Sequence, residues 1–343
     1  MKNQSQPSGR REFMQTLGGA TLAASLAGKL SASPSKPLRG VFPIGQTPVT
    51  QADKLDLDCL RNEVKFCNKY KVHGFAWPQI ASGWAALSEK ERLDGAEAIL
   101  DAGKGGKTSL VIGVQDKDGN IDKAIAYAKH AAKNGADAII SLPPEKADDK
   151  AMLDYYKTIG MATDLPMIVQ TQGDISVDIV VEMAKQIPTM KCVKDEAGNP
   201  LARVTEIRER TNDKLAVFSG NGVRTMIDEM RLGFSGHCPT TVLSDFYAAA
   251  FDLWHSGKQR EAFDMFGRIQ AFNSINGSGN YLMVVRGVFK EDTKTRAMSM
   301  GGGAGRGAAA SGGNNRPTPP LDEAGKQALR DAWDKFMKPY LRG

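Results

Sequence analysis

Leu110-Val111-Ile112-Gly113-Val114 is followed by a segment from Asp122 to Asn134, and then by Ala138-Ile139-Ile140-Ser141-Leu142. The outer two stretches are short, apolar and rich in β-branched residues, as buried strands are. The segment between them repeats with helical period: Ala124, Ile125, Ala128, Ala131 and Ala132 fall on one stripe. Asn134-Gly135 follows, a pair that tolerates the positive φ of a helix end. Strand, helix and strand in this order predict one crossover unit with its two strands parallel.

The same unit recurs in both directions. Upstream strands are expected at Gly40-Val41-Phe42-Pro43 and Gly74-Phe75-Ala76-Trp77. Downstream they are expected at Met167-Ile168-Val169, Lys191-Cys192-Val193, Ala216-Val217-Phe218 and Gly233-Phe234-Ser235-Gly236. Most starts are spaced by about 25 to 35 residues, one strand plus one crossover helix. Ser88 and Glu91 form a capping-box pattern that opens a helix reaching Ala102. Eight alternating units predict an α/β protein, a (β/α)8 TIM barrel. No Gly-x-Gly-x-x-Gly turn follows the first strand, which weighs against an open dinucleotide-binding sheet. Three more helical stretches, Ser244 to Ser256, Lys258 to Asn276 and Asp322 to Tyr340, predict a C-terminal helical extension. The barrel with its extension is expected over 38–343, interrupted by a flexible Gly-rich loop at 301–315.

Composition is that of a globular chain: 343 residues, 41% hydrophobic and 24% charged. Net charge is +6, but the first 33 residues hold four cations and one anion, leaving +3 for the body. That charge implies no nucleic-acid partner. The first 33 residues read as an export signal. Ser8-Gly9-Arg10-Arg11-Glu12-Phe13-Met14-Gln15 resembles a twin-arginine signal, a weakly apolar run follows to Ala27, and small residues stand at Ser31-Ala32-Ser33. The resemblance implies the twin-arginine export machinery as a partner and a periplasmic or exported location. Cys59 and Cys67 lie eight apart on one expected helix, roughly 12 Å along its axis and beyond disulfide reach. Free buried thiols are expected there and at Cys192 and Cys238, whose spacings match no zinc pattern. No cofactor or metal is called for.

In barrels of this kind the chemistry sits at the C-terminal ends of the strands. Polar residues cluster at those ends, Lys194 among them. Strand alternation puts Cys192 and Lys194 on one side and Val193 on the other. Cys192, small and apolar, suits the interior, so Lys194 is expected to face inward at the active end. A low-dielectric mouth would lower its pKa enough to leave a neutral, nucleophilic amine. Spacing alone favours a lysine that snorkels out of the mouth or pairs with Asp116 or Glu145.

Several stretches, in order over about residues 38 to 290, resemble the dihydrodipicolinate synthase and N-acetylneuraminate lyase family. They are Thr47-Pro48, Leu87-Ser88-Glu89-Lys90-Glu91-Arg92, Gly135-Ala136-Asp137-Ala138 with Pro143-Pro144, Leu165-Pro166-Met167-Ile168, and Val193-Lys194-Asp195. The resemblance implies a Schiff-base lyase, aldolase or synthase acting on a 2-oxo acid or sugar acid through an imine at Lys194. It also implies a homo-oligomer. Departures are plain. Gln170 stands where the family has a proton-relaying tyrosine, and glutamine is no general acid near neutral pH. The hydroxyl-rich loop after strand two keeps one hydroxyl, Ser82, and the paired tyrosines after Pro-Pro are replaced by Glu145-Lys146. The substrate-binding set is expected to be Thr47, Ser82, Thr171, Asn221 and His237, with Lys194 and Gln170 at the chemistry. Asn221-Gly222 is expected to open the helix after strand seven, and Trp77 and Trp84 to pack or to line a sugar-binding wall. A second reading is a non-catalytic barrel that binds a polar small molecule or a protein partner.

Overall fold

A computed structural model describes residues 36–275, 279–296 and 321–342. The expected export signal (1–33) and Gly-rich loop (301–315) lie outside the described residues. No helix among the described residues is long and apolar enough to cross a membrane.

Eight parallel strands form the barrel: β1 (Gly40–Val41), β2 (Gly74–Trp77), β3 (Ser109–Gly113), β4 (Ala138–Ser141), β5 (Met167–Gln170), β6 (Met190–Asp195), β7 (Ala216–Ser219) and β8 (Gly236–His237). Each pairs with its sequence neighbour from β2 to β8, and β1 pairs with β8. The ring closes beyond β1, where Ile44 bridges Ala76 and Gly45 N–H donates to Ala76 O at 2.9 Å. Alternation sorts the side chains. Phe42, Ala76, Val111, Ile140, Ile168, Cys192 and Phe218 fill the interior, while Val41, Trp77, Ile112, Ile139, Val169, Val193 and Val217 pack outward onto helices. Cys192 therefore does face inward.

Helices α1 (Leu57–Lys69), α2 (Glu89–Ala102), α3 (Ile121–Lys133), α4 (Asp149–Gly160), α5 (Val177–Gln186), α6 (Pro200–Arg210), α7 (Met226–Leu232) and α8 (Ser244–His255) follow the strands in turn. The Ser88–Glu91 capping box opens α2. In α3 the fully buried stripe is Ala124, Tyr127, Ala128 and Ala131, with Ile125 and Ala132 half-buried at its edges.

Three expectations shift. The eighth strand starts at Gly236, not Gly233, because Gly233 at φ 90° ends α7 in the left-handed region. Ser244–His255 is the barrel's own eighth helix, so the extension begins at α9 (Gln259–Asn273) and α11 (Glu323–Ala332), with α10 (Asn280–Val285) between them. The helix expected to reach Tyr340 passes at Trp333 into a wider turn and ends as a tight one at Lys338–Tyr340. Arg286, at the end of α10, locks the extension to α8. Its guanidinium meets Asp245 at 2.6 and 3.0 Å and lies over Phe66 and Trp333 at 4.4 and 4.5 Å. All four cysteines are free.

Candidate active site

The site is built at the C-terminal ends of β5 and β6. Gln170, Lys194 and Phe218 lie side by side in register, and Phe218 belongs to the interior cluster. Gln170 and Lys194 thus point into the barrel mouth, as the alternation predicts. The strand direction continues past β6, so Glu196 returns to the side of Lys194 while Asp195 turns outward. Asp195 is held there by Arg203, whose Nε and Nη2 donate to its two oxygens at 2.9 and 3.2 Å.

The Lys194 ammonium lies 2.7 Å from Glu196 Oε1. Gln170 Nε2 donates to the other oxygen, Oε2, at 2.8 Å. Thr171 fixes the turn beneath: its hydroxyl donates to Asp195 Oδ1 at 2.7 Å and accepts from Glu196 N–H and Ala197 N–H at 2.9 and 3.2 Å. Gly220 on the next strand end leaves room for the carboxylate, since a Cβ there would lie 1.8 Å from Glu196 Oε1.

Burial alone would lower the Lys194 pKa, but the Glu196 carboxylate and the Cys238 sulfur together more than offset it, and the amine is held above its usual value. The expectation of a lowered pKa is overturned, and the partner is neither Asp116 nor Glu145. Asp116 accepts from Asp118 N–H and Asn120 N–H at 3.0 and 3.3 Å in its own turn, and Glu145 is exposed. Half-buried Cys238 completes this side; burial pushes its thiol up to about 12.

Across the mouth, Gln79 Nε2 donates to Gln115 Oε1 at 3.1 Å, and Gln115 Nε2 donates to Pro78 O at 3.0 Å. Arg92 sits behind this wall. It donates to the Gly113 and Gln115 carbonyls, stacks on Tyr127 at 4.2 Å, and burial lowers its pKa to about 10.

The remaining expected binders are placed otherwise. Thr47 accepts from Trp77 Nε1 at 2.9 Å, in the layer between barrel and helices. The Ser82 hydroxyl accepts from Gln79 N–H at 3.0 Å and donates to Gly45 O at 2.6 Å, so it braces two loops. Asn221 does not open a helix; α7 starts at Met226, after a turn in which Gly222 and Val223 both take positive φ. His237 lies in register with outward-facing Val41, away from Lys194. Its Nδ1 lies 2.7 Å from Glu229, whose pKa is lowered despite burial by that contact and by the Ser219 and Thr225 hydroxyls. Trp77 is wholly buried among helix-facing residues, so it packs. Glu196 is the residue that sequence reasoning missed as a site group. Its signal was the same alternation, carried two positions beyond Lys194.

Residues 37–290 match the model of the dihydrodipicolinate synthetase family. The chain belongs to that family. Among curated proteins it is similar to the 4-hydroxy-tetrahydrodipicolinate synthases of Methanosarcina mazei, 30% identical over 196 residues, and Haloarcula marismortui, 29% identical over 195. Each alignment takes in 54% of this chain and 65% or 62% of the relative's length, so the match to either relative is partial. Two solved structures share the barrel. N-acetylneuraminate lyase from Mycoplasma synoviae superposes with a TM-score of 0.69 at 19% identity, over 88% of this chain and 98% of that one. A prophage protein of the dihydrodipicolinic acid synthase family from E. coli K12, solved with pyruvate, gives 0.67 at 17% identity, over 87% and 98%. At these identities the likeness is one of fold.

Proposed function

We propose that this chain is a lyase of the aldolase type, acting on a small carbonyl compound through an imine at Lys194, with Glu196 taking and returning the proton. Family membership and the motif resemblance supply the reaction class and make 2-oxo acids and sugar acids the first compounds to try. The observation that carries the reading is the inward-facing pair of buried Lys194 and half-buried Glu196, 2.7 Å apart at the C-terminal end of the barrel strands.

A raised amine pKa does not block imine formation, because the proton has an acceptor within hydrogen-bond reach. Transfer from the ammonium to Glu196 is uphill, as the raised amine pKa requires, but it is a single short proton move that leaves a neutral pair. The freed amine attacks the carbonyl carbon, and the proton it then sheds passes to the former carbonyl oxygen to give the carbinolamine. Glu196 then returns its proton to the departing hydroxyl, and loss of water leaves the iminium. The recovered carboxylate removes the proton from a β-hydroxyl as the adjacent carbon–carbon bond breaks and its electrons move to the nitrogen. Gln170, in place of the family's tyrosine, cannot do this work, but it anchors the carboxylate that can.

The test is borohydride reduction in the presence of a panel of 2-oxo acids, sugar acids and hydroxy ketones, read by intact mass. A mass increase equal to one reduced adduct with at least one compound, absent in Lys194→Arg, is the expected result. No adduct with any compound leaves the barrel as a binding module and ends this reading.

A further inference from the structure

The end of the barrel opposite Lys194, where the strands begin, carries a second concavity. Lys36 is tied below β3 and β4, its ammonium donating to Thr108 O at 2.9 Å and to Asp137 at 3.0 Å, while Gly40 starts β1 beside β8. The chain between them crosses this end of the barrel. An open hollow of about 270 Å³ lies between that crossing and the starts of β5 to β8. Leu38 and Ala216, which pack on the interior cluster, form its apolar floor. Lys36, Lys191, Lys214, Asp213 and Ser235 stand around it.

The positive charge at the hollow is not balanced. Lys36 is paired with Asp137, and Asp213 is paired with Arg208 at 2.8 Å. Lys191 and Lys214 are exposed, and neither ammonium has an ion-pair or hydrogen-bond partner among the described residues. The Ser235 hydroxyl likewise makes no hydrogen bond among them. Two ammoniums around one hollow repel each other unless an anion lies between them. The first 33 residues hold four cations and one anion, so they carry no net negative charge that could fill that role.

Lys191 reaches the hollow through an irregularity in β6. Met167 pairs with Met190 and Ile168 with Cys192, so Lys191 is an extra residue in the ladder, a β-bulge. Met190 packs outward with the helices and Cys192 faces inward, which an unbroken period of two would not allow. Lys191 is the one exposed residue of an otherwise buried strand. Bulges re-aim side chains, and this one leaves a lysine on the rim of the hollow. No helix end accounts for a cation in the middle of a strand pairing. Lys214 is brought to the same rim by a turn in which Asn212 and Asp213 both take positive φ, 51° and 56°.

We infer that this hollow binds a phosphate group, free or carried on a small ester or a lipid, between the Lys191 and Lys214 ammoniums, with the Ser235 hydroxyl as a further donor. A phosphate brings at least three acceptor oxygens and close to two negative charges, enough to meet both ammoniums and the hydroxyl at once. A carboxylate brings two oxygens and one charge. The site is separate from the imine chemistry at Lys194 and does not depend on it.

Two probes test it on the full chain. Inorganic phosphate is titrated by calorimetry at constant ionic strength, and vesicles of phosphatidylcholine, with and without phosphatidic acid, are tested by co-sedimentation. The double variant Lys191→Gln with Lys214→Gln is compared with Lys129→Gln with Lys133→Gln, which removes the same charge from exposed positions on α3. All four side chains are exposed, so both variants should fold. The expected result is saturable binding in at least one arm, kept in the α3 variant and weakened at least about tenfold in the Lys191 and Lys214 variant, the equivalent of one charge-assisted hydrogen bond. Saturation by inorganic phosphate assigns the site to free phosphate or a small ester. Co-sedimentation that needs phosphatidic acid, without phosphate saturation, assigns it to a lipid headgroup. Binding in neither arm, or a loss equal in the two variants, overturns the inference.

Discussion

Lys194 is on β6 and Glu196 stands one residue beyond its end, and the two meet nitrogen to oxygen at 2.7 Å. The carboxylate raises the amine's pKa while offering it a proton acceptor. In Glu196→Gln the amine keeps a polar neighbour but loses the acceptor. Turnover is expected to fall about 10²- to 10⁴-fold, the usual range for a lost acid–base group. The fold should survive: the Glu196 side chain is 20% exposed, so the loss of stability should stay below the ~3–5 kcal/mol of a fully buried pair. Turnover and urea denaturation, measured together, separate the two effects.

Gly220 supplies a subtler test. A Cβ there would meet Glu196 Oε1 at 1.8 Å and Cγ at 2.4 Å, both on a flexible side chain. Gly220→Ala should therefore fold with a cost of about 1 kcal/mol or less, because Glu196 can swing aside. Swinging aside takes the carboxylate off Lys194. The variant is expected to keep its melting temperature within a few degrees and to lose activity as Glu196→Gln does.

Glu63 on α1 accepts from Gln46 N–H at 3.1 Å, and burial pushes its carboxyl from 4.5 up to about 8. Between those values the unfolded chain has released the proton and the folded chain keeps it. Stability therefore falls as pH rises from 4.5 to about 8, then levels off. The loss is at most on the order of 5 kcal/mol. Glu63→Gln cannot ionise. It should melt with the wild type near pH 5 and above it near pH 8.5; equal melting temperatures at both would contradict this.

Arg286 is almost fully buried against Asp245, with salt-bridge distances down to 2.6 Å and aromatic rings around it. Arg286→Ala leaves Asp245 charged and alone, at an expected cost of about 3–5 kcal/mol. Arg286→Lys should recover only part, because an ammonium cannot form the two-pronged contact or stack on the rings. Denaturant midpoints of the two variants check the order.

The barrel was legible because its signals are local. Each strand is a short apolar run, each helix a 3.6-residue stripe, and Ser88 with Glu91 marks a helix start on its own. The inward turn of Lys194 was legible for the same reason: period two, read from Cys192. The failures came where partners are distant in sequence. His237 shows nothing in its neighbourhood to say that Glu229 will claim it from the outer face. Asn221 looks like a helix cap until the chain takes an extra turn to Met226. Ser82 keeps the family's hydroxyl, but the Gly45 carbonyl, supplied by another loop, and the Gln79 N–H of its own turn use it up. Glu196 was within reach of the period-two argument, and what hid it was its separation from Lys194 by an aspartate that points the other way.

The most direct measurement is peptide mapping of the chain after borohydride reduction with a labelling carbonyl compound. The expected result is one modified lysine, Lys194, with labelling lost in Lys194→Arg and weakened in Glu196→Gln. A label spread over surface lysines, or none at position 194 while the compound is consumed, would contradict the account.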